Sequence, residues 1–137
     1  MSFTRYWKRT DKEIDQDVVD MAKKIIDYAE NNYHIKLAGL DGCGSPRINT
    51  GNIMFNGDVR NGEACEGFSL NSIFYSDTDL LHCETNRRPY DIVVNAMLKM
   101  LEAQGIVKDV SYDDDEEEAQ ELLEKALGIK MSTDDPR

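Results

Sequence analysis

Apolar residues recur at helical spacing in three stretches of the chain. In the first, Ile14, Val18, Ala22, Ile25 and Ala29 fall on one stripe, with Met21 and Ile26 beside it. Thr10-Asp11-Lys12-Glu13 ahead of it has the form of a capping box, and Asn31-Asn32 suit its end. A helix is expected over residues 11–30, preceded by an arm over residues 1–10. Pro89 opens the second stretch, at a position where its missing N–H costs nothing. Ile92, Val93, Ala96, Met97, Met100 and Leu101 supply its apolar face, and Gly105 closes it. The third stretch, from Asp114 to Leu127, uses Ala119, Leu122, Leu123, Ala126 and Leu127, with Gly128 as its stop. Residues 131–137 read as a loose tail.

The texture between the first two helices is different. Seven of the nine glycines lie from Gly39 to Gly67, which predicts turns and hairpins. Short alternating runs predict strands over Tyr33–Ala38, Asn52–Asn56, Glu66–Leu70 and Leu80–Thr85, with another over Ile106–Tyr112. Asn56-Gly57 and Asn61-Gly62 read as turn pairs. The order α-β-β-β-β-α-β-α predicts a single α+β domain over residues 11–130. Its mostly antiparallel sheet of four to five strands packs with three helices. Ile25, Ile53, Phe55, Phe68, Val93, Met97 and Leu122 are expected to share its core, because each lies on the apolar side of its element.

Charge narrows the possible partners. The formal net charge of −11, from 27 acids against 16 bases, argues against broad contact with a nucleic-acid backbone. No apolar run is long enough to span a bilayer, and Met1–Arg9 does not read as a secretory signal. Three widely spaced cysteines, Cys43, Cys65 and Cys83, fit a reducing cytoplasm better than a disulfide scaffold. Phe3, Tyr6 and Trp7 in the arm need a surface to cover them. A second subunit, giving a homo-oligomer, or the chain's own domain would serve.

The segment Leu81–Asp91 carries the most suggestive chemistry. A strand runs into a helix start there, and Arg87 and Arg88 sit at the junction. Helix starts favour anions, and paired guanidinium groups strengthen that preference. From Leu37 to Leu98 every lysine-or-arginine position is arginine, namely Arg47, Arg60, Arg87 and Arg88, while all nine lysines lie outside. Arginine is the better fork for phosphate or carboxylate. If the loops converge, Arg47, Arg60, Thr85, Asn86, Arg87 and Arg88 would grip a small anion, with Tyr90 stacking on a base. The competing reading is that Arg87 and Arg88 pair with Asp91, Glu84 or other surface acids. No residue there is an obvious base or nucleophile, so binding without turnover is expected and no cofactor is implied. Cys43, Cys65, His82 and Cys83 offer zinc-type ligands, but without Cys-x-x-Cys spacing, so no metal site is assigned. His82-x-Glu84 lacks the Pro-Cys-x-x-Cys partner of the zinc deaminases. Gly42-Cys43-Gly44-Ser45-Pro46 has no P-loop spacing and reads as a flexible loop.

Cys83-x-Thr85-x-Arg87-Arg88-Pro89-Tyr90-Asp91, followed by Val93-Val94, resembles a motif of small uncharacterised proteins of tailed bacteriophages and prophages. The usual form there is cysteine-lysine-threonine-alanine-arginine-lysine-proline-tyrosine-aspartate. This chain departs from it with Glu84, Asn86 and Arg88. Asp41-Gly42 and Ile53-Met54-Phe55-Asn56-Gly57 match further parts of the same pattern. The resemblance implies a phage or mobile-element origin, and so a place in the host cytoplasm. Small-anion capture would then suit sequestration of a nucleotide-like defence signal. A second class remains. Asp113–Glu118 is a run of six acids, and the first helix carries many more. Together they would make a nucleic-acid-mimicking face that inhibits a host protein. An unrecognised enzyme is the third.

Overall fold

The computed structural model describes residues 3–72, 76, 78–111 and 116–128. The element order is β1 (Thr4–Arg9), α1 (Gln16–Asn32), β2 (Leu37–Ala38), β3 (Arg47–Ile48), β4 (Asn52–Gly57), a 3-10 turn (Val59–Asn61), β5 (Phe68–Asn71), β6 (Leu80–Glu84), α2 (Asp91–Ala103), β7 (Val107–Lys108) and α3 (Glu116–Leu127). The class is α+β, as expected. The strands are shared between two antiparallel sheets rather than one. In the first, β1 lies between β6 and β7, with Thr4 opposite Glu84 and Lys8 opposite Lys108. In the second, β4 pairs with β5 along residues 52–55, with β3 at 53–54 and with β2 at 56–57.

The expected N-terminal arm is instead the central strand of the first sheet. Burial alternates along it: Arg5, Trp7 and Arg9 face inward, whereas Tyr6 is 40% exposed. Two of the three inward positions carry charge, so the period-2 signal is hidden from a reading of apolar residues. The domain therefore begins well before residue 11. The Trp7 ring lies 5.2 Å from Phe68, which lies 5.2 Å from Phe55, so an aromatic chain ties the two sheets together. Trp7 is thus covered by its own domain, whereas Tyr6 stays exposed.

α1 starts later than the capping box indicated. Asp15 is its N-cap, with Oδ1 accepting from Val18 N at 3.0 Å. Thr10 is held elsewhere: its backbone N–H donates to the Ile106 carbonyl and its hydroxyl to the Ile106 and Gly105 carbonyls. Gly105 (φ +80°) closes α2 as expected. α2 is buried on nearly every side, and each of the three helices packs against the other two. The seven predicted core residues are all fully buried in one cluster. Asn56-Gly57 is no hairpin turn: both residues are buried at the end of β4, where the Asn56 amide bonds the Leu40 and Cys65 carbonyls. A Cβ on Gly57 would collide with the Glu63 carbonyl. Asn61-Gly62 does end a turn, with Gly62 at φ +70°. The predicted tail at residues 131–137 lies outside the described residues.

Candidate functional site

The junction between β6 and α2 is built by a tight reversal. Arg88 N donates to the Thr85 carbonyl at 3.0 Å, and the two central residues, Asn86 and Arg87, both have positive φ, +53° and +57°. That is a type I′ turn. Asparagine tolerates this conformation, but arginine pays about 1–2 kcal/mol for it. The turn pushes Asn86, Arg87, Arg88 and Pro89 into solvent, whereas Cys83, Thr85, Tyr90 and Asp91 point inward.

The inward residues form a lock. Asp91 opens α2, and its carboxylate accepts a two-point fork from Arg5 on β1: Nε to Oδ1 at 2.9 Å and an Nη to Oδ2 at 2.8 Å. The Thr85 hydroxyl donates to the same Oδ1. All three side chains are buried. The Glu66 carbonyl accepts from the Cys83 thiol at 3.2 Å and from the Tyr90 hydroxyl. Burial is the main force raising both groups above their ordinary values. Cys83 is raised further by Glu66, and Tyr90 by Cys83. Strand, loop and helix are thus tied at one point.

Two predicted ligand contacts must be withdrawn. Thr85 is spent on Asp91, and the Tyr90 ring, at 0% exposure, cannot stack on a base. Nor does the expected convergence of arginines occur around one cavity. Arg87 and Arg88 line a concavity of about 360 Å³ with Ile35, Pro89, Asp91, Ile92 and Glu118. Arg60 lines a separate one with Lys36 and residues 42–45. Arg47, on β3, lines neither.

Of the acids expected to pair with Arg87 and Arg88, Asp91 is forked by Arg5. Arg87 lies over the Phe3 ring, 4.1 Å from its centroid. Asn86 Oδ1 accepts from Phe3 N at 3.2 Å, fixing the ring's backbone beneath the turn. Arg88 is exposed, with no acidic partner among the described residues, and the same holds for Arg47 and Arg60. Arg5, the buried partner of Asp91, lies in the segment expected to be an arm. The available signal was the alternation of residues 4–9 with a charge at every inward position but Trp7.

The other chemistry falls apart in space or state. Cys43 is exposed, Cys65 half-buried and Cys83 buried, and all three are free thiols. His82 Nδ1 lies 3.3 Å from Glu66 Oε1 at the surface. No group of three or more His, Cys, Asp or Glu side chains is arranged to hold a metal ion among the described residues. No helix among them is long and apolar enough to cross a membrane. No protein-family model, curated protein or solved structure matches the chain.

Proposed function

We propose that the chain is a non-enzymatic binding protein for a small anionic, nucleotide-like ligand, held on the exposed face of the 85–88 turn. The observation that carries this reading is Arg87 itself. A residue that pays to sit at φ +57°, where glycine would be free, is a mark of functional strain. Phe3 supports its guanidinium from below, and Arg88 stands beside it without an acidic partner among the described residues. Thr85 and Tyr90 are not part of this surface; Asn86 braces it. In a phage or mobile-element setting such a protein would sequester a host defence signal.

The test is calorimetry with linear and cyclic nucleotides. Wild type should bind at least one of them, and Arg88→Ala should weaken that binding by about 1.5–3 kcal/mol. If the whole panel fails to bind, the reading is wrong. A second reading is favoured by one observation. α1 and α3 pack against each other; Asp17, Asp20 and Asp27 are exposed on the first and Glu117, Glu118 and Glu121 on the second. An acidic face of that kind would block a basic host protein. Reversing Glu117 and Glu118 to lysine would abolish such inhibition and leave nucleotide binding intact.

A further inference from the structure

The glycine-rich loop between β2 and β3 is an ordered wall of a cavity. Gly39 N donates to the Cys43 carbonyl at 2.9 Å, and Gly42 N to the Gly39 carbonyl at 2.9 Å. Cys43 N donates to Asp41 Oδ1 at 3.1 Å. The Gly42 carbonyl accepts from Val59 N at 3.0 Å, which docks the loop on the 3-10 turn. Gly42 (φ +88°) and Gly44 (φ +71°) give it a shape that other residues would resist, and a Cβ on Gly42 would press on Val59 and Ala64. The backbone N–H groups of Gly44 and Ser45 and the Ser45 hydroxyl find no acceptor among the described residues.

Gly44 and Ser45 line a concavity of about 340 Å³ together with Gly42, Lys36, Arg60, Cys43 and Asp58. That volume is at the lower end of small-molecule sites, roughly 300–1,000 Å³. Both cations are exposed and lack an acidic partner among the described residues. The Asp58 carboxylate is turned to its own backbone, with Oδ1 accepting from Arg60 N at 3.2 Å. A second concavity, of about 400 Å³, adjoins the first through Lys36, Gly44 and Ser45; Ile26, Leu37, Pro46 and Ile48 line it together with the charged Lys23, Asp27 and Glu30.

We propose that the 42–45 loop, Lys36 and Arg60 bind the phosphate group of a small phosphomonoester, whose body lies in the adjoining groove. A point charge, a planar fork and clustered backbone N–H groups on glycine-shaped chain together match a tetrahedral dianion. This site shares no residue with the Arg87–Arg88 surface and stands or falls without it.

The experiment follows the amide resonances of Gly44 and Ser45 in ¹⁵N-labelled protein at constant ionic strength. Inorganic phosphate and phenyl phosphate are the probes. Saturable shifts at both amides are expected, with phenyl phosphate binding more tightly than inorganic phosphate. The Lys36→Ala/Arg60→Ala double variant should weaken both by about tenfold or more while keeping a native spectrum. Lys36→Glu should do the same, and Arg88→Ala should change nothing. Absent or non-saturating shifts, or shifts that survive in the double variant, would overturn the proposal. So would their loss in Arg88→Ala alone, which would move the anion to the turn. Equal affinity for the two probes would overturn the assignment of the groove to the ligand's body.

Discussion

Within nine residues, from Cys83 to Asp91, the chain divides its polar groups between two tasks. Cys83, Thr85, Tyr90 and Asp91 are buried and fully engaged with the fold. Asn86, Arg87, Arg88 and Pro89 are exposed. The inward set is a thiol, two hydroxyls and a carboxylate, and the outward set an amide, two guanidinium groups and a proline. What separates them is one reversed turn. A motif that looks like one site is thus half lock and half surface, and only the surface half is available to a ligand.

The comparison breaks most visibly at Asp91. Asp91→Ala leaves the Arg5 guanidinium buried without its partner, so urea denaturation should show a loss of about 3–5 kcal/mol. A folded protein of near wild-type stability would remove Asp91 from the lock. Thr85→Val deletes a donor to an acceptor that Arg5 still serves, and a smaller loss of roughly 1–1.5 kcal/mol is expected. Tyr90→Phe should cost about 1 kcal/mol at neutral pH, as one hydrogen bond to the Glu66 carbonyl disappears.

The same two groups predict an alkaline signature. Folding raises Cys83 from 9.0 and Tyr90 from 10.0, so the fold holds their protonated forms. Their contribution is complete below the unfolded values. It is lost as the pH climbs past them, the thiol first and the phenol next. Unfolding free energy measured against pH should therefore bend downward above about pH 9. The Tyr90→Phe variant should lose the part of that slope that begins near the phenol's ordinary 10.0. An identical slope in both proteins would contradict the burial of that hydroxyl.

The outward half should scarcely register in stability. Arg88→Ala should stay within about 0.5 kcal/mol of wild type. In Arg87→Gly, relief of the turn strain, about 1 kcal/mol, offsets a lost ring contact of roughly 0.5–1 kcal/mol. Its melting temperature should hardly move, and on the proposed function its nucleotide binding should disappear. A large loss of stability in either variant would make both arginines part of the lock.

Much of this architecture was legible from residue order. The α+β class, the three helices, the apolar face of β6 around Cys83 and the shared core follow from periodicity alone. Three things did not. β1 hid because its inward positions hold arginines, and an alternation of charge with tyrosine and lysine looks like a polar arm. The 85–88 reversal hid because its centre is Asn-Arg, not the Asn-Gly that marks such turns. That omission sent Tyr90 to the wrong side, since its facing depends on the turn. The separation of Arg60 from Arg87 was beyond reach for another reason. It depends on which strand edges the loops leave from, and spacing along the chain carries no information on that.

The Arg5–Asp91 bond spans 86 positions of the chain, and the bond between Tyr6 N and the Ser111 hydroxyl spans 105. The strand synthesised early therefore waits for partners synthesised late. Contacts of such separation are slow to form, because a long loop must close before it is rewarded. α1, by contrast, closes on local bonds alone. The sole tryptophan, Trp7, sits on the waiting strand at 1% exposure. In a refolding time course its fluorescence change should trail the circular-dichroism signal of the helices. A chain truncated ahead of residue 80 would leave that indole in water, with no sheet to enter.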